Sequence, residues 1–239
     1  FASAFIPIFS KTLKDSKEKA WEVAGIVANW GGIIFIVLAG IVFVFAHPIY
    51  RVLTPGFDVS DQIRIADLAR ILFIAQGFFV ISYVLTAVLE SSKRFFVPAL
   101  APLFYNVGII LATIFLSGKF GIMAPVIGVV IGSASHFLIQ LPLAVKLGFR
   151  FSKNLKITPE VKRIARLSLP RIAEVSFLQI AKFVELTLAT IISNPAYTYF
   201  TFGNTIQLLP VGLFGTSIAK AALPTLSSQS DDLEAFKKT

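Results

Sequence analysis

The chain has 239 residues, of which 56% are hydrophobic and only 15% charged, whereas soluble domains are about half apolar and about a quarter charged. A net charge of +9 in a soluble protein would point to nucleic acid, but here the basic residues fall in short loops between apolar runs, as membrane topology requires, and no nucleic-acid partner is expected. Cysteine is absent, which excludes a disulfide framework and a thiolate metal site.

A helix that crosses a bilayer needs about 20 apolar residues. The opening FASAFIPIFS is too short and reads as the end of a helix. The start at Phe1, inside an apolar segment and without a signal peptide, reads as an N-terminal truncation. Full spans are predicted over 23–46, 71–89, 95–118, 120–145, 172–193 and 196–219. HPIYRVLTPGFD, SGKFG and SNPA separate them with the residues that favour turns. Pro102, Pro125, Pro142, Pro170 and Pro210 fall within or at the ends of these runs. Membrane helices accept proline, and broken helices often line a cavity.

The loops alternate in charge. One side collects Lys11, Lys14, Lys17 and Lys19, then Lys93 and Arg94, then the basic residues from Lys146 to Arg166, and finally Lys237 and Lys238. The other side holds little more than Arg51, Arg64 and Lys119. The basic side is therefore expected to be cytoplasmic, the C-terminal tail included. An internal repeat is also visible: AFIPIFSKTLKDSKEKA from Ala4 and AALPTLSSQSDDLEA from Ala221 share a small–apolar–apolar–Pro–x–apolar–Ser pattern. Repeats of whole helix sets are the sequence trace of transporter folds.

No phosphate-binding glycine loop, metal-ligand cluster or nucleophile–base arrangement is present, so no enzyme activity, metal or cofactor is expected; ion coupling is left open. His47 reads as interfacial, and His136, near Ser133, Ser135 and Gln140, as a partner in an interhelical hydrogen bond rather than a proton carrier. The informative span is LPRIAEVSFLQIAKFVELTLATIIS. Positions 171, 174, 178, 182 and 185 recur at intervals of three and four, so Arg171, Glu174, Lys182 and Glu185 share one stripe, with Gln179 beside it. A charge at the bilayer centre costs at least about 2.5–3.5 kcal/mol, so the stripe faces protein or water. Two readings stay open. Lys182 and Glu185 neutralise each other and hold the bundle, or the stripe lines a hydrated path for a polar substrate. Arg171 and Glu174 read as interfacial anchors. In the last span, Asn204, Thr205 and Gln207 precede Pro210, a pattern that suits a binding site or a hinge as well as plain helix packing through Gly212 and Gly215.

The segments AFIPIFSKTL, LTPGF, SSKRFFVPALAPLFYNVGII and YFTFGNTIQLLPVGLFGTSIAKAALPTLS, in this order and spacing, resemble the MurJ/MviN family of lipid II flippases over essentially the whole chain. The resemblance implies a two-lobed, pseudosymmetric fold of the multidrug/oligosaccharidyl-lipid/polysaccharide exporter type. It also implies movement of the undecaprenyl-linked cell-wall precursor between leaflets. The family often carries an Asp-Arg pair six and five residues before the proline of its eighth helix. Aligned on Pro210, those positions hold Asn204 and Thr205, and Lys182 on the preceding helix would supply the missing positive charge.

The expectation is thus an all-α, polytopic transmembrane bundle of about six full spans and one partial one. Residues 1–170 would be the rest of a first lobe and 171–239 the first two helices of a second. The substrate-binding candidates are Lys182, Glu185, Asn204, Thr205, Gln207 and Gln179. The expected function is to flip lipid II across the bacterial cytoplasmic membrane by alternating access, with the lipid-linked precursor and membrane lipids as partners. The alternative is a polysaccharide-unit flippase or drug exporter of the same superfamily.

Overall fold

The computed structural model describes residues 1–152 and 154–215. They form α1 (Ala2–Asp15), α2 (Lys17–Leu53), α3 (Val59–Ser91), α4 (Phe96–Phe120), α5 (Met123–Leu147), α6 (Pro159–Ile192) and α7 (Ala196–Pro210), and a π-helical turn over Val211–Gly215 follows. Five helices, α2 to α6, are long and apolar enough to cross a membrane. The all-α, multi-spanning expectation therefore holds, with five of the six expected full spans among the described residues. The predicted span over 196–219 is described only through α7 and its π turn. Residues 216–219, the second copy of the repeat, and Lys237 and Lys238 lie outside the described residues.

The helices run beyond their apolar stretches. HPIYRVLTPGFD is not one long turn: α2 continues through Pro48 to Leu53. Proline removes one helical N–H, which leaves the Val44 carbonyl without its donor. Arg70 Nε donates to the neighbouring Phe43 carbonyl at 2.9 Å, the kind of service that lets a membrane helix carry a proline. Ser16 caps α2 by accepting from the Lys19 N–H at 3.3 Å. Thr158 does the same for α6 at Val161, and Pro159 occupies the first helical position. That cap starts α6 well before the predicted span, so the expected lobe boundary after residue 170 falls inside one continuous helix.

Consecutive helices run back and forth. Gly108 faces Gly132 while Ile109 and Ala112 face Gly128, which makes α4 and α5 antiparallel. A Cβ on Gly132 would lie 2.4 Å from the Tyr105 carbonyl oxygen. The run GVVIG is thus a G-x-x-x-G contact that lets two backbones touch. Helices α3 and α5 run parallel, Ser82 against His136 and Thr86 against Gln140. The apolar core sits at one end, where Phe5 and Phe9 stack, Trp21 meets Phe9 edge-on, and Val88, Leu89 and Phe149 close around them. Gly148 turns the chain there with φ 122 and lies so close to the Trp21 indole that a side chain would collide with it. The basic turns at residue 16, at 92–95 and over 148–158 share this end; the turns at 54–58, 121–122 and 193–195 share the other. The alternation of loop charge is therefore a property of the folded bundle.

Candidate functional site

Helix α6 is tied to the preceding helices by polar bonds and buried residues near its two ends. At the basic end, Lys19 Nζ of α2 pairs with Glu160 Oε1 at 2.7 Å. Val161 and Ile164 are buried in the apolar core. The segment leading into α6 is tied to α2: Asn29 Nδ2 donates to the Ser152 carbonyl, Trp30 Nε1 donates to the Leu155 carbonyl at 3.0 Å, and Asn154 Nδ2 donates to Glu22 at 3.0 Å. At the opposite end, Thr187 Oγ1 donates to the Leu53 carbonyl at 3.1 Å, and Thr190 packs on Gly56. Every residue over 169–185 is exposed.

Lys19 and Glu160 occupy the first turns of their helices, outside the apolar stretches. The hydrogen bond from Lys19, then the Glu160 backbone N–H, holds the Glu160 carboxyl below its usual range. The same hydrogen bond, with the carboxylate's charge, raises the Lys19 ammonium. Between α1 and α6 beside this pair lies a cleft of about 520 Å³ whose polar lining includes Lys11, Asp15, Glu160 and Arg163. A second groove of about 380 Å³, between α2, α3 and α6, is almost wholly apolar, with Trp30, Tyr83 and Ile172 in its walls.

The candidate residues fall on the exposed stretch of α6 and on α7. Gln179, Lys182 and Glu185 are exposed on α6; Asn204, Thr205 and Gln207 are exposed on α7. Arg171 pairs with Glu174 one turn on. Lys182 and Glu185, at the same spacing, form no ion pair with each other or with any other described residue. Thr205 Oγ1 turns back to the Thr201 carbonyl at 2.8 Å. No hydrogen bond among the described residues joins Lys182 to Asn204, Thr205 or Gln207. No hydrogen bond, ion pair or cavity among the described residues joins the α6 candidates to those of α7.

His136 makes the interhelical hydrogen bond expected of it, to Ser82 of α3 at 2.6 Å. Gln140 Nε2 donates to Ser82 Oγ at 2.8 Å and lies 3.3 Å from His136 Nδ1, so one amide ties the serine and the imidazole into a single network. Sequence reasoning missed a charged group at the non-basic end. Asp67 Oδ1 accepts from Arg70 Nη1 at 2.8 Å and lies 3.2 Å from His47 Nε2, while the Arg70 guanidinium stands over the Phe43 ring. The i, i+3 spacing of Asp67 and Arg70 was the available signal. Among the described residues no cluster of His, Asp and Glu is placed to hold a metal ion.

The family model described as "Lipid II flippase MurJ" matches residues 1–239. The chain belongs to this family. A probable lipid II flippase MurJ from Thermotoga maritima is 27% identical over 233 residues, 97% of this chain and 46% of that protein. One from Bdellovibrio bacteriovorus is 29% identical over 238 residues, 95% of this chain and 45% of its own length. A solved structure of a lipid II flippase MurJ in an inward closed conformation matches with a TM-score of 0.79 at 26% identity, over 98% of this chain and 48% of that one. The chain spans about half the length of the curated relatives it matches. The family resemblance of the quoted segments and the multi-pass membrane architecture therefore stand.

Proposed function

We propose that the protein carrying this chain flips undecaprenyl-linked peptidoglycan precursor across the bacterial cytoplasmic membrane by alternating access, with the basic turns on the cytoplasmic side. The match to the family model over residues 1–239 carries this reading, and the charged stripe in the middle of α6 fits it. Lys182 and Glu185 lie on a helix long enough to span and form no ion pair among the described residues. Charged groups in that position face water or protein and not hydrocarbon. A sugar pyrophosphate is too polar to cross lipid unaided and needs a hydrated, cationic path. The family's matching relatives carry the flippase name.

In this reading the stripe of α6 and the polar turn of α7 line one wall of the path. Lys182 meets the pyrophosphate as a compact charge that needs no fixed fork geometry. Asn204, Thr205, Gln207 and Gln179 offer hydrogen bonds to the sugars. Residues 1–170 serve as the first lobe, and the second begins within α6 at residue 171. No enzymatic step is involved. The test is complementation: the complete gene should restore growth and outer-leaflet precursor to a bacterium depleted of its own lipid II flippase. Failure by a protein that accumulates in the membrane would refute the assignment.

A further inference from the structure

The LTPGF segment has no part in the path described above, yet it forms a closely braced turn. Thr54 Oγ1 donates to the Tyr50 carbonyl at 2.7 Å, and the Phe57 N–H donates to the Thr54 carbonyl at 3.1 Å. Gln62 Nε2 donates to both the Thr54 and Phe57 carbonyls, at 2.8 and 3.1 Å. A glutamine that is only 8% exposed and holds two carbonyls of one turn sets that turn's shape from beneath.

The crown of the turn is Gly56, and it meets the last turn of α6. A Cβ there would lie 1.8 Å from the Thr190 carbonyl oxygen and 2.8 Å from the Ile191 nitrogen. These are backbone atoms, so no side chain can be accommodated without separating α6 from the turn. Thr190 is 2% exposed in consequence. The two attachments of α6 are unequal. The basic end holds an ion pair, three hydrogen bonds from the 148–158 segment and two buried apolar residues. The other end holds one hydroxyl bond and a contact that exists only because residue 56 is glycine.

We propose that the 54–58 turn is a latch. It holds α6 closed against the first helices at the non-basic end and releases when the path opens on that side. Gly56 is the residue that permits closure. The proposal rests on the alternating-access reading and adds the element that closes one face.

The experiment uses the complete protein in a cysteine-free background, with spin labels at Val59→Cys and Ile192→Cys. Both positions are exposed and flank the latch. Electron–electron distance measurements should resolve a short, closed population and a longer, open one. Gly56→Val should lower the closed population about tenfold or more, and Gly56→Ala should shift it the same way. If the valine variant does not accumulate, Thr187→Val removes the hydroxyl bond without adding bulk and should lower closure about threefold. Distances unchanged by the Gly56 and Thr187 substitutions would overturn the latch. Distances do not depend on the cargo. Latch opening in a protein that does not move the precursor would sink the flippase reading and leave the latch standing. Precursor movement with no change in distance would do the reverse.

Discussion

Replacing Gln140 by leucine tests how far hydrogen bonds, as against packing, hold α3 to α5. Gln140 makes two bonds across that interface, donating to Ser82 Oγ and accepting from Thr86 Oγ1, both at 2.8 Å. Its third bond, to the His136 carbonyl at 3.0 Å, stays within α5 and does not join helices. Interhelical side-chain bonds in membranes average about 0.6 kcal/mol, with about 1.7 as the upper end. Two such bonds give about 1–3 kcal/mol. The low end is favoured, because Thr86 can turn its hydroxyl to the carbonyl one turn back, and Ser82 keeps His136. Leucine is close in volume, so no large cavity adds to the loss. The assay is equilibrium unfolding in mixed micelles, with a double-mutant cycle that pairs Gln140→Leu with Thr86→Val. A cycle coupling of about 0.5–1 kcal/mol is expected. A coupling indistinguishable from zero, or a variant more stable than the parent, would refute the claim that this network fastens the two helices.

Gly132→Ala should cost more than Gln140→Leu, about 1–3 kcal/mol or above in the same unfolding assay, because its Cβ would lie 2.4 Å from the Tyr105 backbone oxygen. Glu160 contributes through a lowered carboxyl pKa, so its contribution is complete above the usual carboxylate range and is lost as pH falls through the lowered folded value. The protection factors of the amides at Val161 and Ile164, taken relative to intrinsic exchange at each pH, should therefore fall in acid, and Glu160→Gln should remove that dependence; a variant whose protection profile matched the parent's would contradict it. For Lys182, the double variant Lys182→Met with Glu185→Met should fold and insert yet fail to flip precursor in the complete protein. Full activity would make the stripe a structural feature only.

Much of the architecture was legible because membrane burial imposes long apolar runs. The spans over 71–89 and 95–118 lie inside α3 and α4 for that reason. Helix ends were less legible. Hydropathy stops at the interface, whereas caps and tertiary contacts carry the helix beyond it, as Thr158 does for α6 and the stretch past Pro48 does for α2. His136 could be read correctly, since a lone polar residue in an apolar span needs a partner. That its partner is Ser82, at a separation of 54 residues, is information only the fold holds. The GVVIG contact was visible as spacing, and so was the Asp67–Arg70 pair. The place of Gly56 against Thr190 was not, because a glycine in a turn is ordinary until a backbone from elsewhere is found against it.

Whether the α6 stripe is glue or pathway turns on where the helix is held. A stripe that bonded two helices would be covered along its length, as the Ser82–His136–Gln140 network is between α3 and α5. Helix α6 is attached instead by groups beyond both ends of the stripe, Glu160 at one side and Thr187 at the other. Arg171 and Glu174 satisfy each other within a turn, so they ask nothing of a neighbour. Lys182 and Glu185 have the same spacing and the opportunity to pair, yet they stay apart. Two unpaired charges on a spanning helix carry a desolvation cost unless water or a charged ligand reaches them. On the proposed reading that cost is offset by water and an anionic headgroup; on the scaffold reading the partner must come from the half of the family's length that this chain does not span.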